Sequence, residues 1–535
     1  MLNILLTRND GFAWFQHVNI RFKGYAYGGD GSLLLPEKCL SLFESLDSFN
    51  DFERLLSSLN GIFSVVVQRE NEIWLACDVC RMFPLFYSRQ AGNMLIADDP
   101  DFFLPHTRVT AREEILSEFL SCGFVPGDKT LLEEVSQVRA GECVRLSLQA
   151  PPEKRYYFRY LAFQQNTVKD VLLWAKKTET VLQETADRLI RSLQGRTAVV
   201  ALSGGYDSRW IVAALKLAGY PHVVCFTYGR HNSSEARLAK KVAEITGYPW
   251  HFVGYTKELI DHYLDDPLFH RYYRYAASYV SMFYMTEYFA VKWLKDNHLI
   301  PSGAVFVSGQ CGDWLGGSQL RKYLTHTFAF LQSLPSVMKD STFLYARLPS
   351  AQGKKAVAAF IKECPQGALP YSIFEDWLMK EKLSKFVTNS VCVFNFFGYE
   401  HRLPFWDKEL ITFFRDLPVK YKTHEVLYNK VLKEKFFAPL GLNFPDELEV
   451  SPWQVSLQWL KNKLKPLFPY PVIRKTMKKH DDVFYDEITG EMLRQLDSEN
   501  IPYDAHPYWY NANIIHWYLS RIRKEALFQI YSSLK

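Results

Sequence analysis

Two short stretches of this chain combine glycines, hydroxyls and an acid in the way a phosphate site needs. The first is Ser203-Gly204-Gly205-Tyr206-Asp207-Ser208, which follows the apolar run Thr197–Leu202 and precedes the helix-forming segment Arg209–Ala218. A strand, a glycine turn and a helix start aim unpaired amides and the positive helix end at one point, which suits an anion. Gly204 and Gly205 let a phosphate approach the backbone, and Ser203 and Ser208 add hydroxyl donors. Asp207 is out of place beside a phosphate unless a divalent cation lies between them. The expected ligand is a nucleotide with its metal. A lone Ser-Gly-Gly is common in ordinary strand-to-helix turns, whereas the full Ser-Gly-Gly-x-Asp-Ser in this setting is far more specific.

The second stretch, Val305-Phe-Val-Ser308-Gly309-Gln310-Cys311-Gly312-Asp313-Trp314-Leu-Gly316-Gly317, repeats the arrangement of strand, small turn and acid. The elements around both stretches alternate. Val223–Tyr228 and Trp250–Val253 read as further buried strands, and Ala236–Thr246 reads as a helix ending at Gly247. Strands and helices at this spacing predict a doubly wound parallel sheet. Turns of such a sheet gather at the carboxyl edge of its strands, where ligands bind. Asp207 and Asp313 then make a magnesium site on a pyrophosphate.

The first motif is not a Walker loop and lacks the spacing of dinucleotide folds. It resembles the pyrophosphate loop of the ATP pyrophosphatases, which cleave ATP between the α and β phosphates and leave an adenylated substrate. A third stretch, Asn395-Phe-Phe-Gly398-Tyr-Glu400-His-Arg402-Leu-Pro404-Phe405-Trp-Asp407, extends the likeness to the asparagine synthetases at Gly398, Glu400, Arg402, Pro404, Phe405 and Asp407. In the second stretch Ser308, Gly309, Asp313, Gly316 and Gly317 match that family, while Gln310 and Trp314 stand where it has Glu. The resemblance implies ATP and Mg2+ as cofactors, with Leu202, Tyr228, Ser308 and Gly309 bordering the nucleoside. Ser203–Ser208 would hold the pyrophosphate, Asp207 and Asp313 the metal, and Glu400 the incoming amine, unless Glu400 merely pairs with Arg402. Trp314 is expected to reshape the acceptor pocket. The family's lysine beside the acyl-adenylate has no counterpart in Asp446–Trp453, so either another basic residue such as Lys430 substitutes or the second half-reaction is altered or lost.

The first ~105 residues read as β-rich. Gly61–Val67 and Ile73–Cys77 form a hairpin pattern, followed by Pro84–Tyr87 and Met94–Ala97, and Cys39–Leu59 carries a helical stripe. One antiparallel sheet with helices on it is expected. The stretch Asn60–Tyr87 resembles the latter half of the family's glutaminase domain, with Asp78, Pro84 and Leu85 matching and Cys77 standing where the family has Arg. Glutaminases of that class use a cysteine directly after the initiator Met. Leu2 stands there, so a domain without glutaminase activity is expected. Cys77-x-x-Cys80 has no second pair at ligand spacing and reads as structural.

The fold class implied is α/β. A degenerate Ntn-hydrolase-type αββα domain with its linker (residues 1–160) precedes a doubly wound sheet of the adenine nucleotide α-hydrolase-like type with many added helices (residues 161–535). Of 535 residues, 48% are hydrophobic and 16% aromatic, ample for two cores, and a net charge of +5 does not by itself suggest a nucleic-acid partner. Nine cysteines argue for a reducing compartment, and neither a signal peptide nor an apolar run of membrane-spanning length is visible, so a cytoplasmic protein is expected. The tyrosines at 272, 273, 275, 279 and 284 read as packing, and Lys461–Lys479 as a solvated basic face that an anionic carrier could use. The implied partners are a small-molecule or peptide carboxylate and an ammonia or amine donor, and a homodimer is left open. Alternatives are a nucleotide-binding pseudoenzyme and a cyclase like β-lactam synthetase or lasso-peptide cyclase. RNA-modifying adenylation uses the same loop but is disfavoured by the weak basicity.

Overall fold

The computed structural model describes residues 2–90, 92–110, 112–164, 166–231, 233–320, 334–345, 350–444, 478, 481–503 and 510–533. The amino-terminal strands are β1 (Leu2–Leu5), β2 (Trp14–His17), β3 (Ile20–Tyr27), β4 (Leu33–Leu34), β5 (Asn60–Gln68), β6 (Glu72–Cys77), β7 (Phe86–Gln90), β8 (Asn93–Ala97), β9 (Val135–Gln137), β10 (Glu142–Ser147) and β11 (Glu153–Tyr156). They form two sheets where the sequence suggested one. One sheet has the order β11-β10-β6-β5-β3-β2 with β4 against β3, and the other has the order β1-β8-β7-β9.

The chain changes sheets at a turn built on Asp78. Its buried carboxylate accepts from the backbone N–H groups of Phe63 at 3.1 Å, Cys80 at 2.6 Å and Met82 at 3.2 Å, which reverses the chain after β6. Val66, Ile73 and Leu75 then face Tyr87, Met94 and Ile96 across the gap between the sheets. Period-2 alternation in both sets of strands puts these residues on facing surfaces. The helical stripe is also divided, into α1 (Pro36–Leu42) and α2 (Phe49–Ser58). Ser48 caps α2 by accepting from the Asp51 N–H at 3.2 Å, and so restarts the helix. Cys77 and Cys80 are buried, and burial pushes the Cys77 thiol up to about 12.

After α3 (Glu113–Cys122) and α4 (Val171–Leu193) comes a five-stranded sheet of β12 (Ala198–Ala201), β13 (Val223–Gly229), β14 (Trp250–Gly254), β15 (Val305–Val307) and β16 (Glu400–Arg402). Its order is β14-β13-β12-β15-β16 and every pair is parallel, as expected of a doubly wound fold. Ala198–Val200 are fully buried, the near-continuous apolar pattern of a strand covered on both faces. The helices α5 (Tyr206–Leu217) and α6 (Ser234–Thr246) follow β12 and β13, and α6 ends at left-handed Gly247. Tyr272, Tyr273 and Tyr279 are buried, as packing requires. In the final helix, Tyr510–Ser533, Ile514, Ile515, Trp517 and Tyr518 are buried. Among the described residues no helix is long and apolar enough to cross a membrane.

The two parts meet over β16. His401 is fully buried there, with Phe12 5.3 Å away ring to ring and neither ring nitrogen partnered. Burial, with Arg402 nearby, lowers its pKa to about 3 from the usual 6.5. The ring is therefore neutral when folded, and its contribution to stability is complete above the unfolded pKa and lost as pH falls from about 6.5 towards 3. His401→Phe keeps the aromatic contact and removes the titration. In urea unfolding between pH 6.5 and pH 4, the wild type is expected to lose stability faster than this variant, by up to about 1.4 kcal/mol per pH unit. Equal pH slopes would contradict the assignment.

Candidate functional site

At the carboxyl edge of the sheet, β12 runs into Leu202 and the glycine turn, and α5 begins at Tyr206 with Gly205 as its N-cap. The first-turn amides of such a helix have no intrahelical acceptor, so they are available to an anion. The turn is braced by its own hydroxyls. Ser208 Oγ accepts from Ser203 N–H at 3.0 Å, the two hydroxyl oxygens are 3.0 Å apart, and Ser203 Oγ accepts from Gly205 N–H at 3.2 Å. Behind the turn, fully buried Arg209 donates to the Gly204 carbonyl at 2.7 Å.

The loop after β15 lies directly against this turn. A Cβ on Gly309 would stand 2.8 Å from Ser208 N, and one on Gly312 would stand 2.5 Å from the Asp207 carboxylate. Only glycine permits so close an approach at either position. Asp207 joins three segments: its carboxylate accepts from the Asp313 N–H at 2.9 Å and from the Tyr428 hydroxyl at 2.8 Å. Burial, and then the charge of Asp313, push its carboxyl up to about 8. Glu425 is pushed up to about 7 by burial and by Asp313. Ser318 donates to Asp313 at 2.9 Å.

Three crowded carboxylates, two of them pushed up in pKa, with no cation in ion-pair contact with Asp207 or Asp313 among the described residues, are an arrangement that a hard divalent ion would relieve. Among the described residues no group of three or more His, Cys, Asp or Glu gathers as a metal cage. Mg2+ typically takes one or two protein carboxylates and completes its shell with phosphate oxygens and water. The pair Asp207 and Asp313 fits that pattern.

Every residue expected from the sequence to serve the site lines one cleft of about 1370 Å3, except Glu400. Tyr228 stacks on Tyr255 with ring centroids 5.4 Å apart, at the end of β13 where a nucleoside would lie. Lys430 reaches the cleft from the helix Val426–Val431 and faces Glu434 at 3.9 Å. Glu400 is a correction. In the parallel register it stands opposite Val305, at the amino end of the sheet, while Ser308 lies beyond the carboxyl end of β15. There Arg196 grips it in a bidentate pair at 2.7 and 3.1 Å, and Arg402 at 3.0 Å. Burial raises its pKa, but the two guanidiniums outweigh that and hold it below the usual range. Glu400 is a structural ion-pair residue.

Trp314 also departs from expectation. It is buried against Tyr160, at 4.9 Å between centroids, and against Trp406, at 6.3 Å, so it packs beneath the site and does not shape the cleft. Gln310 does line the cleft, donating to Ser390 while its own carbonyl oxygen has no partner. The residues Asp446–Trp453 and the basic tract Lys461–Lys479 lie outside the described residues, Lys478 apart. Lys478 pairs with Asp486 at 3.2 Å and Glu487 at 2.9 Å. Tyr428, Glu425, Gly312 and Glu287 belong to the cleft or its wall and were not singled out as site residues. Glu425 is the left-handed residue, at φ 58°, that precedes the helix carrying Tyr428, a conformation that no local spacing announces.

Comparison with known proteins places this geometry. A family model for asparagine synthase matches residues 178–495, and one for a glutamine amidotransferase domain matches residues 48–157. A probable glutamine-hydrolysing asparagine synthetase from Acanthamoeba polyphaga mimivirus is 24% identical over 242 residues. That match covers 42% of this chain and only 38% of the viral protein. Similar solved structures include the glutamine PRPP amidotransferase from B. subtilis, at 11% identity, covering 48% of this chain and 76% of that one with a TM-score of 0.19. The NH3-dependent NAD synthetase from Campylobacter jejuni is 14% identical, covering 37% of this chain and 86% of its own, also with a TM-score of 0.19.

The contact between the two loops gives a direct test. Gly312→Ala is expected to push Asp207 aside and weaken Mg–ATP binding in calorimetry by about tenfold or more, because sub-ångström positioning is what such sites depend on. Unchanged binding with the fold intact would show that this contact does not shape the ligand site.

Proposed function

Because the chain belongs to the asparagine synthase family, we propose that it is an ATP-dependent carbon–nitrogen ligase that adenylates a carboxylate, releases pyrophosphate, and passes the acyl group to ammonia or an amine. The single observation that carries this reading is the junction at Asp207, where two glycine-rich loops and Tyr428 converge on a carboxylate facing Asp313.

In this account the amides of the Ser203–Ser208 turn and the start of α5 bind the pyrophosphate. Leu202, Tyr228, Ser308 and Gly309 border the nucleoside. Asp207 and Asp313 would hold Mg2+, which supplies neutralisation of phosphate charge when bound. Tyr428 keeps Asp207 oriented through its hydroxyl. Lys430 stands on the same cleft wall and is the cation available to an acyl-adenylate.

The nitrogen comes from outside the chain's own thiol chemistry. A thiol nucleophile is activated by an adjacent base or by a lowered pKa. All nine cysteines here are shifted the other way by burial. Free ammonia, a partner's ammonia or an amine on the substrate therefore serves as acceptor.

ATP–pyrophosphate exchange over a panel of amino acids, sugar acids and peptide acids tests the proposal. Exchange is expected with at least one acid. Asp207→Ala and Asp313→Ala should each lower it about a hundredfold or more, since losing a metal ligand costs several kcal/mol of charge stabilisation. Glu400→Gln should leave exchange intact while lowering the unfolding midpoint. Ammonium should support amide formation where glutamine does not. Exchange that survives both aspartate variants would overturn the assignment.

A further inference from the structure

A second enclosed space shares no residue with the cleft. It lies where the amino-terminal sheets meet the helical segment 378–396, and its free volume is about 50 Å3. That is room for about three to five water molecules, or for one small anion of similar bulk. Its walls are cationic. Arg8, Lys23 and Arg81 line it from the amino-terminal part and Lys385 from the other side. Lys23 is 3% exposed and Arg81 6%.

Two of these charges are already balanced. Arg8 pairs with Asp99 at 3.2 Å, and Lys385 with Glu381 at 2.6 Å. Asp98, the carboxylate in the wall, accepts from Thr7 N–H at 2.9 Å, Arg8 N–H at 3.0 Å and the Trp14 indole at 2.7 Å, all neutral donors, so its charge still bears on Lys23. Among the described residues neither Arg81 nor Lys23 has a carboxylate within ion-pair distance, although Glu381 and Asp78 act on Arg81 from further away. Arg81 donates Nε to the Val138 carbonyl at 3.1 Å, while its buried Nη2 has no acceptor. Lys23 donates to the Arg8 carbonyl, and the Arg8 Nε is itself buried without an acceptor. Burial lowers the Lys23 pKa to about 8. Arg81 also sits at φ 58°, a left-handed conformation that non-glycine residues seldom hold without a compensating contact.

Four cationic side chains line the space, and the buried Arg81 Nη2 and Arg8 Nε lack an acceptor, a donor set that suits an oxyanion. We propose that this chamber is a binding site for a small oxyanion, of acetate or inorganic phosphate size, held by Arg81, Lys23 and Arg8 at the junction of the two parts. A bound anion would bridge the amino-terminal part to the helices of the ligase part. Its effect would be on stability and on the coupling of the two parts, apart from the nucleotide cleft.

The test uses the full chain, with sodium acetate and sodium formate titrated against sodium chloride at constant ionic strength. These carboxylates avoid the phosphate-specific cradle at Ser203–Ser208. The unfolding midpoint of the wild type is expected to rise saturably by several degrees. Arg81→Met should fold with a midpoint equal to or above that of the anion-free wild type, because it replaces a buried guanidinium that has no carboxylate in ion-pair reach with an apolar chain, and it should show no saturable rise. A parallel rise in both proteins, or none in the wild type, would overturn the proposal. Should the variant not fold, wild-type crystals soaked in selenate decide. An anomalous peak between Arg81 Nη2 and Lys23 Nζ supports the site, and water alone there refutes it.

Discussion

The carboxyl edge of the parallel sheet depends on two backbones touching. The turn after β12 and the loop after β15 come so close that a single methyl at Gly309 or Gly312 would meet main chain or the Asp207 carboxylate. That closeness turns Asp207 away from solvent and makes it accept both from the Asp313 amide and from Tyr428. A carboxylate held this way has little water to stabilise its charge, and Asp313 beside it makes ionisation harder still. The protein thus supplies the cost of gathering negative charge in advance, which on the proposed reading a divalent ion with a phosphate chain would recover on binding.

The two ends of the same sheet treat acids in opposite ways. At the amino end Glu400 is closed off by Arg196 and Arg402, and beyond the other end of β16 Arg188 and Asp407 form a buried pair at 2.6 Å, with Asp407 also capping the helix Lys408–Asp416. These pairs are satisfied and hold the strands and α4 in register. At the carboxyl end the acids face one another, with the exposed Lys430 on the same cleft wall and Lys382 acting on Asp313 from behind. Structural ion pairs and a crowded acidic site are built from the same residue types, and whether a guanidinium faces the carboxylate decides which they become.

Much of this was readable from the chain. The apolar runs, the glycine turns and the order of acids located β12, β13, β14 and β15 and the loops that follow them, because strand burial and the need for glycine both leave marks in local sequence. Glu400 was misplaced because a motif fixes spacing along the chain and not which end of a strand faces the ligand. Only the pairing of Glu400 with Val305 shows that. Trp314 was read as a pocket residue for a similar reason: its ring turns inward to Tyr160 and Trp406, a packing choice invisible at the level of neighbours in sequence. The second amino-terminal sheet depends on Asp78 accepting three backbone amides, and the cationic chamber on residues more than three hundred positions apart. Tertiary contacts of that kind leave no periodic trace.

The central claim is that the Asp207 junction holds a metal on the phosphates of ATP. A crystal structure with Mg2+ and a non-hydrolysable ATP analogue bridged by carbon between its α and β phosphates measures this directly. The account predicts one ion contacting Asp207 and Asp313, with the β and γ phosphates on the amides of Ser203–Ser208 and the base near Tyr228. A nucleotide bound elsewhere, or an ion held without either aspartate, would contradict it.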